Sequence, residues 1–461
     1  MTISSVLVAN RGEIAVRIIK AAKALGIRTV QVYSAADADM LAVRLADEAI
    51  NIGPPAPKKS YLNIEALIAA AKASGVDAVH PGYGFLSENG DFADAVEAAG
   101  MVFIGPSGDA IRLLGDKVAA RSVAAKAGVP TVPGSDGRID SLDDARAVVE
   151  KTGFPIMIKA AAGGGGRGIR IVLTVLELEQ QFSQASAEAA AAFGNGGLYL
   201  EKVITRARHV EVQILGDGVN VVHCFERECS LQRRRQKVWE EAPATRLPAD
   251  IREKLCASAV ALARAVHYRG AGTVEYLYDE DAREFYFIEV NTRIQVEHPV
   301  TEMITGIDLV QEMFRVAGGA PLSVSQDDIK VRGHAIECRI NAEDPSRGFM
   351  PAPGLIETLK IPESESVRFD TMLYQGYTVP PFYDSLLGKL IVWAETRALC
   401  LDRLRSALEG LTVTGVPTTI PLHLALVDDA QVRDANYHTR FLETWLDTTF
   451  APPAQKSVEV A

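Results

Sequence analysis

The chain has 461 residues, and at about 150 residues per domain that length predicts roughly three folded units. Its 48 Lys+Arg against 59 Asp+Glu give a formal net charge of -11, which excludes a surface made as a whole for nucleic acid or acidic membrane. Five cysteines with no CxxC pair point to reduced thiols, with neither a disulfide framework nor a structural zinc. With no run of about 18 apolar residues and no secretory leader at Met1 to Val8, no membrane span is expected and a cytoplasmic protein is.

From Ser5 to about Asp116, short β-branched runs (Val6 to Ala9, Thr29 to Tyr33, Ala78 to His80, Val102 to Ile104) alternate with alanine-rich helical stretches. This is the pattern of βαβ units on a parallel sheet. In Gly12 to Gly26, Ile14, Ile18, Ala22 and Leu25 fall at helical spacing, while Lys20 and Lys23 face elsewhere. A second unit opens near Asp116, where Lys117 begins a helical segment. Within it the turn cluster Val132 to Gly137 leads into a strand (Pro155 to Ala160), a glycine loop, a strand (Ile169 to Leu173), a helix and a strand (Leu198 to Val203). A long polar stretch follows, then strands Gly272 to Tyr278 and Glu284 to Val290. The third unit, from about Val331 to Leu446, is β-rich, is broken by Pro351 to Gly354 and Pro380-Pro381, and includes a helix over Leu399 to Leu411. The proline-bearing end after Phe450 is expected to be flexible.

The glycine loop, Gly163, Gly164, Gly165, Gly166 and Gly168, matches the letters of a dinucleotide fingerprint. That fingerprint needs a following helix, and here a strand follows. No GK[ST] is present either. A strand, glycines and a second strand make a hairpin whose bare N–H groups can close over phosphate, or simply a turn. Lys159 on the feeding strand and Lys117 offer two point charges for phosphates, unless they are solvated surface lysines.

In Phe285 to Asn291 the strand period puts Glu289 and Asn291 on one face, with Tyr286, Ile288 and Val290 on the other. Glu275 on the neighbouring strand can complete a set of hard oxygen ligands suited to Mg²⁺; alternatively it is an acid on a polar strand face. The segment Asn291 to Glu302 is dense in hydrogen-bonding groups. Arg293 can fork onto a small planar anion and Glu297 can take a proton from it, or the segment is a charged surface loop. The run Gln232 to Lys237 has three arginines but no interleaved aromatics and acidic neighbours at Glu226, Glu228, Glu240 and Glu241. It therefore reads as a locally paired, phosphate-facing strand and not as a nucleic-acid site.

Taken together, Ala9 to Ala15, His80 to Asn89, Gly163 to Gly168, Glu201-Lys202, Arg208 to Glu211, Gln232 to Lys237, Glu289 to Glu302 and Tyr383 to Ser385 resemble the biotin carboxylase family of ATP-grasp ligases. The resemblance implies an α/β and α+β multidomain ATP-grasp fold. Its parts would be a Rossmann-like domain over 1–116, an ATP-grasp domain over 117–330 with a glycine-rich lid at about 131–203, a β-rich C-terminal domain over 331–447, and a tail over 448–461. It implies ATP contacts from Lys117, Lys159, Gly163 to Gly166, His209, Gln232 and Arg235, with Glu201, Lys202 and Val203 as the hinge reading the adenine. Mg²⁺ or Mn²⁺ would sit on Glu275, Glu289 and Asn291. Lys237, Arg293, Gln295, Val296, Glu297 and Arg339 would form the bicarbonate and biotin site, with Tyr83 nearby.

The implied reaction has Glu297 deprotonate bicarbonate for attack on the γ-phosphorus, giving carboxyphosphate, then CO₂, then carboxybiotin, with Arg339 stabilising the biotin oxyanion. At one position the chain departs from the pattern: Arg235 stands where the family usually carries His or Asn, and altered nucleotide contact near the ribose is expected. The sequence holds no Met-Lys-Met biotinylation signal, so a biotin carrier protein and a carboxyltransferase are expected on separate chains, with a homodimer and no nucleic-acid or membrane partner. Acetyl-CoA, another acyl-CoA, pyruvate and urea all stand open as the final acceptor. Two other readings compete: another ATP-grasp carboxylate-amine ligase, and a non-catalytic nucleotide-binding homologue.

Overall fold

The computed structural model describes residues 2–135, 137–160, 170–193 and 196–452. Strands β1 (Ser5–Val8), β2 (Arg28–Tyr33), β3 (Glu48–Asn51), β4 (Ala78–His80) and β5 (Val102–Phe103) form a parallel sheet in the order β3-β2-β1-β4-β5. Helix α1 (Gly12–Ala24) leaves β1 through Gly12 at φ +71°, a left-handed turn that a side chain would strain. Its Ile14, Ile18 and Ala22 are buried and Lys20 and Lys23 exposed, as the spacing predicts.

Strands β6 (Ile156–Ala160), β7 (Arg170–Val172) and β8 (Leu198–Lys202) make a small antiparallel sheet in the order β7-β6-β8. It has its own core, in which Ile156, Ile158 and Leu200 pack with Leu178 and Phe182 of helix Val175–Phe193. The glycines Gly163 to Gly166 lie outside the described residues, as does most of the segment after Phe450.

The sheet that carries the site has eight antiparallel strands. They are β9 (Ala207–Asp217), β10 (Val221–Arg233), β11 (Gln236–Ala242), β12 (Arg269–Asp279), β13 (Glu284–Asn291), β14 (His334–Asn341), Val367–Thr371 and Leu386–Ala394. Their order is β13-β12-β9-β10-β11-β14, then Leu386–Ala394, then Val367–Thr371. The polar stretch before Gly272 is β9, β10 and β11, the middle of the sheet, and then helix Ala249–Ala265. On the strands its charges are buried in pairs, so polarity there does not mean exposure: Arg227, 0% exposed, donates to Glu211 at 2.6 Å, Gln213 at 2.7 Å, and Thr273 and Thr301 at 3.0 Å.

The expected shared face of Tyr286, Ile288 and Val290 is corrected on β13, where a bulge breaks the alternation. Glu289 pairs with Glu275, but the next pair is Phe287 with Tyr276, so Ile288 is the extra residue. Phe285 and Phe287 therefore join Val290 in the core, and Tyr286 turns away to hydrogen-bond Glu284. Glu289 and Asn291, beyond the bulge, keep their shared face.

Helix His298–Thr305 lies across the sheet. Pro299 starts it and Gly306, at φ +76°, ends it. Its Val300 and Ile304 pack on Ala242, Ala335 and Ile391, each burial worth about 2 kcal/mol. That contact fixes the N-terminal residue Glu297 against the strands. Among the described residues no helix is long and apolar enough to cross a membrane, and all five cysteines are unpaired and buried.

Candidate active site

Lys237 is the hub. It stands on β11 just after a two-residue hairpin, in which Arg234 and Arg235 adopt φ +49° and +66° and Gln232 pairs with Lys237. Its Nζ donates to Glu211 Oε2 at 2.6 Å, Glu275 Oε1 at 2.9 Å and Glu297 Oε1 at 2.6 Å. Burial alone would lower its pKa, but these three carboxylates hold it well above the usual range. Glu297 uses its other oxygen on Arg339 Nη2 at 3.0 Å, and Arg339 Nε donates to Glu240 Oε1 at 2.6 Å. Although burial pushes Glu297 upward, Lys237 and then Arg339 keep it below the usual carboxylate range, ionised at neutral pH.

Glu275 Oε1 also accepts from Asn291 Nδ2 at 2.8 Å and Gln295 Nε2 at 3.2 Å. Its second oxygen lies 3.2 Å from His209 Nε2. Against burial, Glu275 lifts the His209 pKa to about 9, so the imidazole is a cation at neutral pH and not a free metal ligand. Arg293 reaches Glu88 Oε2 at 2.9 Å, Gln295 Oε1 at 2.9 Å and Asn291 Oδ1 at 3.2 Å.

The divalent-cation set fits on one observation. Glu289 faces Glu275 directly across β12 and β13, and burial followed by repulsion from Glu275 raises the Glu289 pKa. Two hard carboxylates that repel each other are relieved by a cation, and Asn291 adds a neutral oxygen beside them. Lys117 Nζ lies 3.7 Å from Glu289, where a phosphate between lysine and cation would find both charges. Glu211, Glu275 and His209 also place donor atoms within 4.8 Å of one another, but Arg227 and Lys237 already engage Glu211.

Lys237, Arg293, Gln295, Glu297, Arg339, Glu275 and Asn291 thus form one hydrogen-bonded network, joined by His209 through its ion pair with Glu275 and with Glu289 and Lys117 at its border. Lys159 joins a different pairing, with Glu201, which also takes Arg121 Nη1 at 2.6 Å. Lys202 Nζ donates to the Phe154 carbonyl at 2.7 Å and the Val203 N–H to the Pro155 carbonyl at 3.0 Å. Gln232 turns inward, its amide on the Cys229 carbonyl at 2.8 Å. Val296 offers its carbonyl to Lys389 at 2.8 Å, and Lys389 meets Glu13 at 3.1 Å, the acid that also binds the Tyr83 hydroxyl. Arg235 is exposed at the hairpin tip.

The acids flanking the arginine run pair elsewhere, correcting the local-pairing expectation: Glu226 with Arg252, Glu228 with Arg208, Glu240 with Arg339, and Glu241 with Arg397. Sequence reasoning assigned no site role to Glu88, Glu211, Glu240 or Lys389. Glu88 and Glu211 lay inside quoted motifs, whereas Glu240 and Lys389 carried no local signal.

Three family descriptions match the chain in succession. They are the biotin carboxylase N-terminal domain over residues 2–111, the ATP binding domain of carbamoyl-phosphate synthase L chain over 116–325, and the biotin carboxylase C-terminal domain over 337–444. The chain is 51% identical over 444 residues to biotin carboxylase 1 of Bacillus subtilis, covering 96% of this chain and 99% of that one. It superposes on the Campylobacter jejuni biotin carboxylase-β-γ-ATP complex with a TM-score of 0.89 at 47% identity, over 96% of this chain and 99% of that one. The biotin carboxylase domain dimer of Hydrogenobacter thermophilus 2-oxoglutarate carboxylase, in complex with MgADP, ADP and bicarbonate, matches with a TM-score of 0.88 at 48% identity, over 96% and 98%.

Proposed function

As the chain belongs to the biotin carboxylase family, we propose that it carries out the ATP- and bicarbonate-dependent carboxylation of biotin around Glu297, Lys237, Arg293 and Arg339. The observation that carries the residue assignment is the two-sided hold on Glu297: a buried carboxylate, with Lys237 at 2.6 Å on one oxygen and Arg339 at 3.0 Å on the other. Such a base stays ionised yet sits beside two cations that an incoming anion can share.

In this scheme Arg293 orients bicarbonate and Glu297 takes its proton. The freed oxygen bonds to the γ-phosphorus as the β,γ bridge to ADP breaks. Carboxyphosphate then splits to CO₂ and phosphate, the phosphate takes the ureido proton of biotin, and the ureido nitrogen attacks CO₂. Arg339 pairs with the developing oxyanion and Lys237 offsets charge at the transferring phosphoryl group. Glu275, Glu289 and Asn291 would hold Mg²⁺ or Mn²⁺, which when bound neutralises triphosphate charge. Lys117, Lys159 and His209 add positive charge toward the phosphates, and Glu201 to Val203 border the adenine.

We further assign the biotin carrier and the carboxyltransferase to other chains and the working form to a homodimer like that of the Hydrogenobacter domain. The final acceptor is then chosen by the carboxyltransferase. The unpaired thiols suit a reducing, cytoplasmic setting.

The test is ADP release by the purified chain with ATP, Mg²⁺, labelled bicarbonate and free biotin. Release that needs both bicarbonate and biotin, with label captured as carboxybiotin, is the expected result. Release driven instead by a carboxylate and an amine, or by no mixture at all, overturns the proposal.

A further inference from the structure

One buried acid beside the site has no part in this scheme. Glu337 of β14 faces Glu240 of β11 directly across the antiparallel ladder, so the two side chains leave the sheet on the same face, with Cβ atoms about 5 Å apart. Both residues are 0% exposed. Ile391, the ladder partner of Glu337 on its other side, packs with Val300 and Ile304 of the covering helix. Arg339, two residues along β14, shares this face. Glu240 commits one oxygen to Arg339 Nε at 2.6 Å. Its other oxygen and both oxygens of Glu337 are buried with no hydrogen-bond partner among the described residues.

The charged groups around the pair each have other partners. Lys389, on Leu386–Ala394, holds Glu13 at 3.1 Å and the Val296 carbonyl at 2.8 Å. Arg339 holds Glu240 and Glu297, and Lys237 holds Glu211, Glu275 and Glu297. His298, on the covering helix, places its Nδ1 2.7 Å from the Gln295 carbonyl. No described donor lies within hydrogen-bonding distance of these three buried carboxylate oxygens, and two ionised carboxylates facing each other across the ladder would repel. A single proton shared between them supplies both the missing donor and the missing neutrality.

We propose that Glu337 is a neutral acid that donates its proton to the free oxygen of Glu240, and that this pair is a positioning element for Arg339. It fixes Glu240 as the acceptor for Arg339 Nε, which leaves the guanidinium's Nη2 edge turned toward Glu297 and the reacting biotin. Burial, opposed most by Lys389, holds Glu337 well above the usual carboxylate range, and burial against Arg339 pushes Glu240 up to about 7, so the pair keeps a proton at neutral pH. Loss of that proton at alkaline pH would place a second negative charge behind Arg339 and draw it back into the sheet.

The activity part of this assignment rests on the biotin carboxylase reading; the protonation part does not. Two variants separate donor from charge: Glu337→Gln keeps a donor but cannot ionise, and Glu337→Leu has neither. At neutral pH the wild type should show an infrared protonated-carboxyl band that Glu337→Gln lacks. Glu337→Gln should keep kcat within about threefold and flatten the alkaline limb of its pH profile, while Glu337→Leu should lose about tenfold in kcat with the KM for ATP unchanged. An identical infrared band in Glu337→Gln, wild-type kcat in Glu337→Leu, or equal impairment of both variants overturns the assignment. If Glu337→Leu does not fold, the band and the pH profile of Glu337→Gln decide. Absence of biotin-dependent turnover in the wild type would instead overturn the functional reading and leave the infrared result to judge the pair.

Discussion

Arg293 Nε lies 2.9 Å from Glu88 Oε2, which ties the segment leaving β13 to the loop after β4 on the other sheet. Glu88 aims the guanidinium that is assigned to bicarbonate. Replacing Glu88 with Gln should lower kcat/KM for bicarbonate by about tenfold while the KM for ATP stays close to wild type. Initial rates against bicarbonate at saturating ATP check this; an equal loss in both constants would mean that the contact only holds the sheets together.

Glu297→Gln removes the base but keeps the shape. The expected fall in biotin-dependent ADP release is about a hundredfold or more, with nucleotide affinity retained. Steady-state rates together with calorimetric ATP binding separate the two effects, and an unaltered rate would remove Glu297 from the mechanism.

Glu289 has Glu275 as its repulsive neighbour and Lys117 as its only ion-pair partner among the described residues. Glu289→Gln should therefore raise the Mg²⁺ concentration needed for half-maximal rate by about tenfold. Chelation of divalent ions should abolish turnover in the wild type. A Mg²⁺ titration of both proteins is the check.

Glu241 binds His334 at 2.7 Å, Arg397 at 2.7 and 3.1 Å, and the Tyr437 hydroxyl. Burial would raise its pKa, but Arg397 and His334 hold it far below the usual range. A depressed carboxylate stabilises the fold above its unfolded pKa and loses that contribution as pH falls toward the folded one. Glu241→Gln should cost about 3 kcal/mol at pH 7, and the gap to wild type should narrow below about pH 4. Thermal unfolding over that range tests the sign: a gap that widens on acidification would be wrong.

Arg235 sits at φ +66° in a two-residue turn that favours Asn or Gly. Arg235→Asn should stabilise the protein by about 0.5 kcal/mol and change the KM for ATP, a comparison of melting temperature and kinetics that reports strain and contact separately.

What could be read in the sequence follows the range of the interactions. Glu289 and Asn291 share a strand, so the period of two was enough to set them on one face. The bulge at Ile288 was not readable, because it depends on where β13 meets β12. Of the central strands only the run Gln232 to Lys237 was read as strand, and it is a hairpin turn joining β10 to β11; the rest was hidden for a physical reason: Arg208, Glu211, Gln213 and Arg227 pair across the sheet, so a buried polar face imitates a solvated one. Glu240 and Lys389 carried no local pattern, since Arg339 and Val296, the groups they serve, are about a hundred positions distant in the chain. Glu297, Arg293 and Lys237 lay in motifs and Arg339 was reached only through the family resemblance, but their union in one network is a product of sheet order.

That order has a consequence for how the protein can be divided. β11 hydrogen-bonds to β14, so the ladder continues across residue 330 without an edge, and Arg339 arrives at Glu297 from a strand beyond that point. A piece ending at 330 would display the bare rim of β11, prone to recruit foreign strands, while its base would face a gap where the guanidinium belongs. The smallest unit able to turn over is therefore the undivided sheet, and any genetic rearrangement that preserves the chemistry must carry both sides of that seam together.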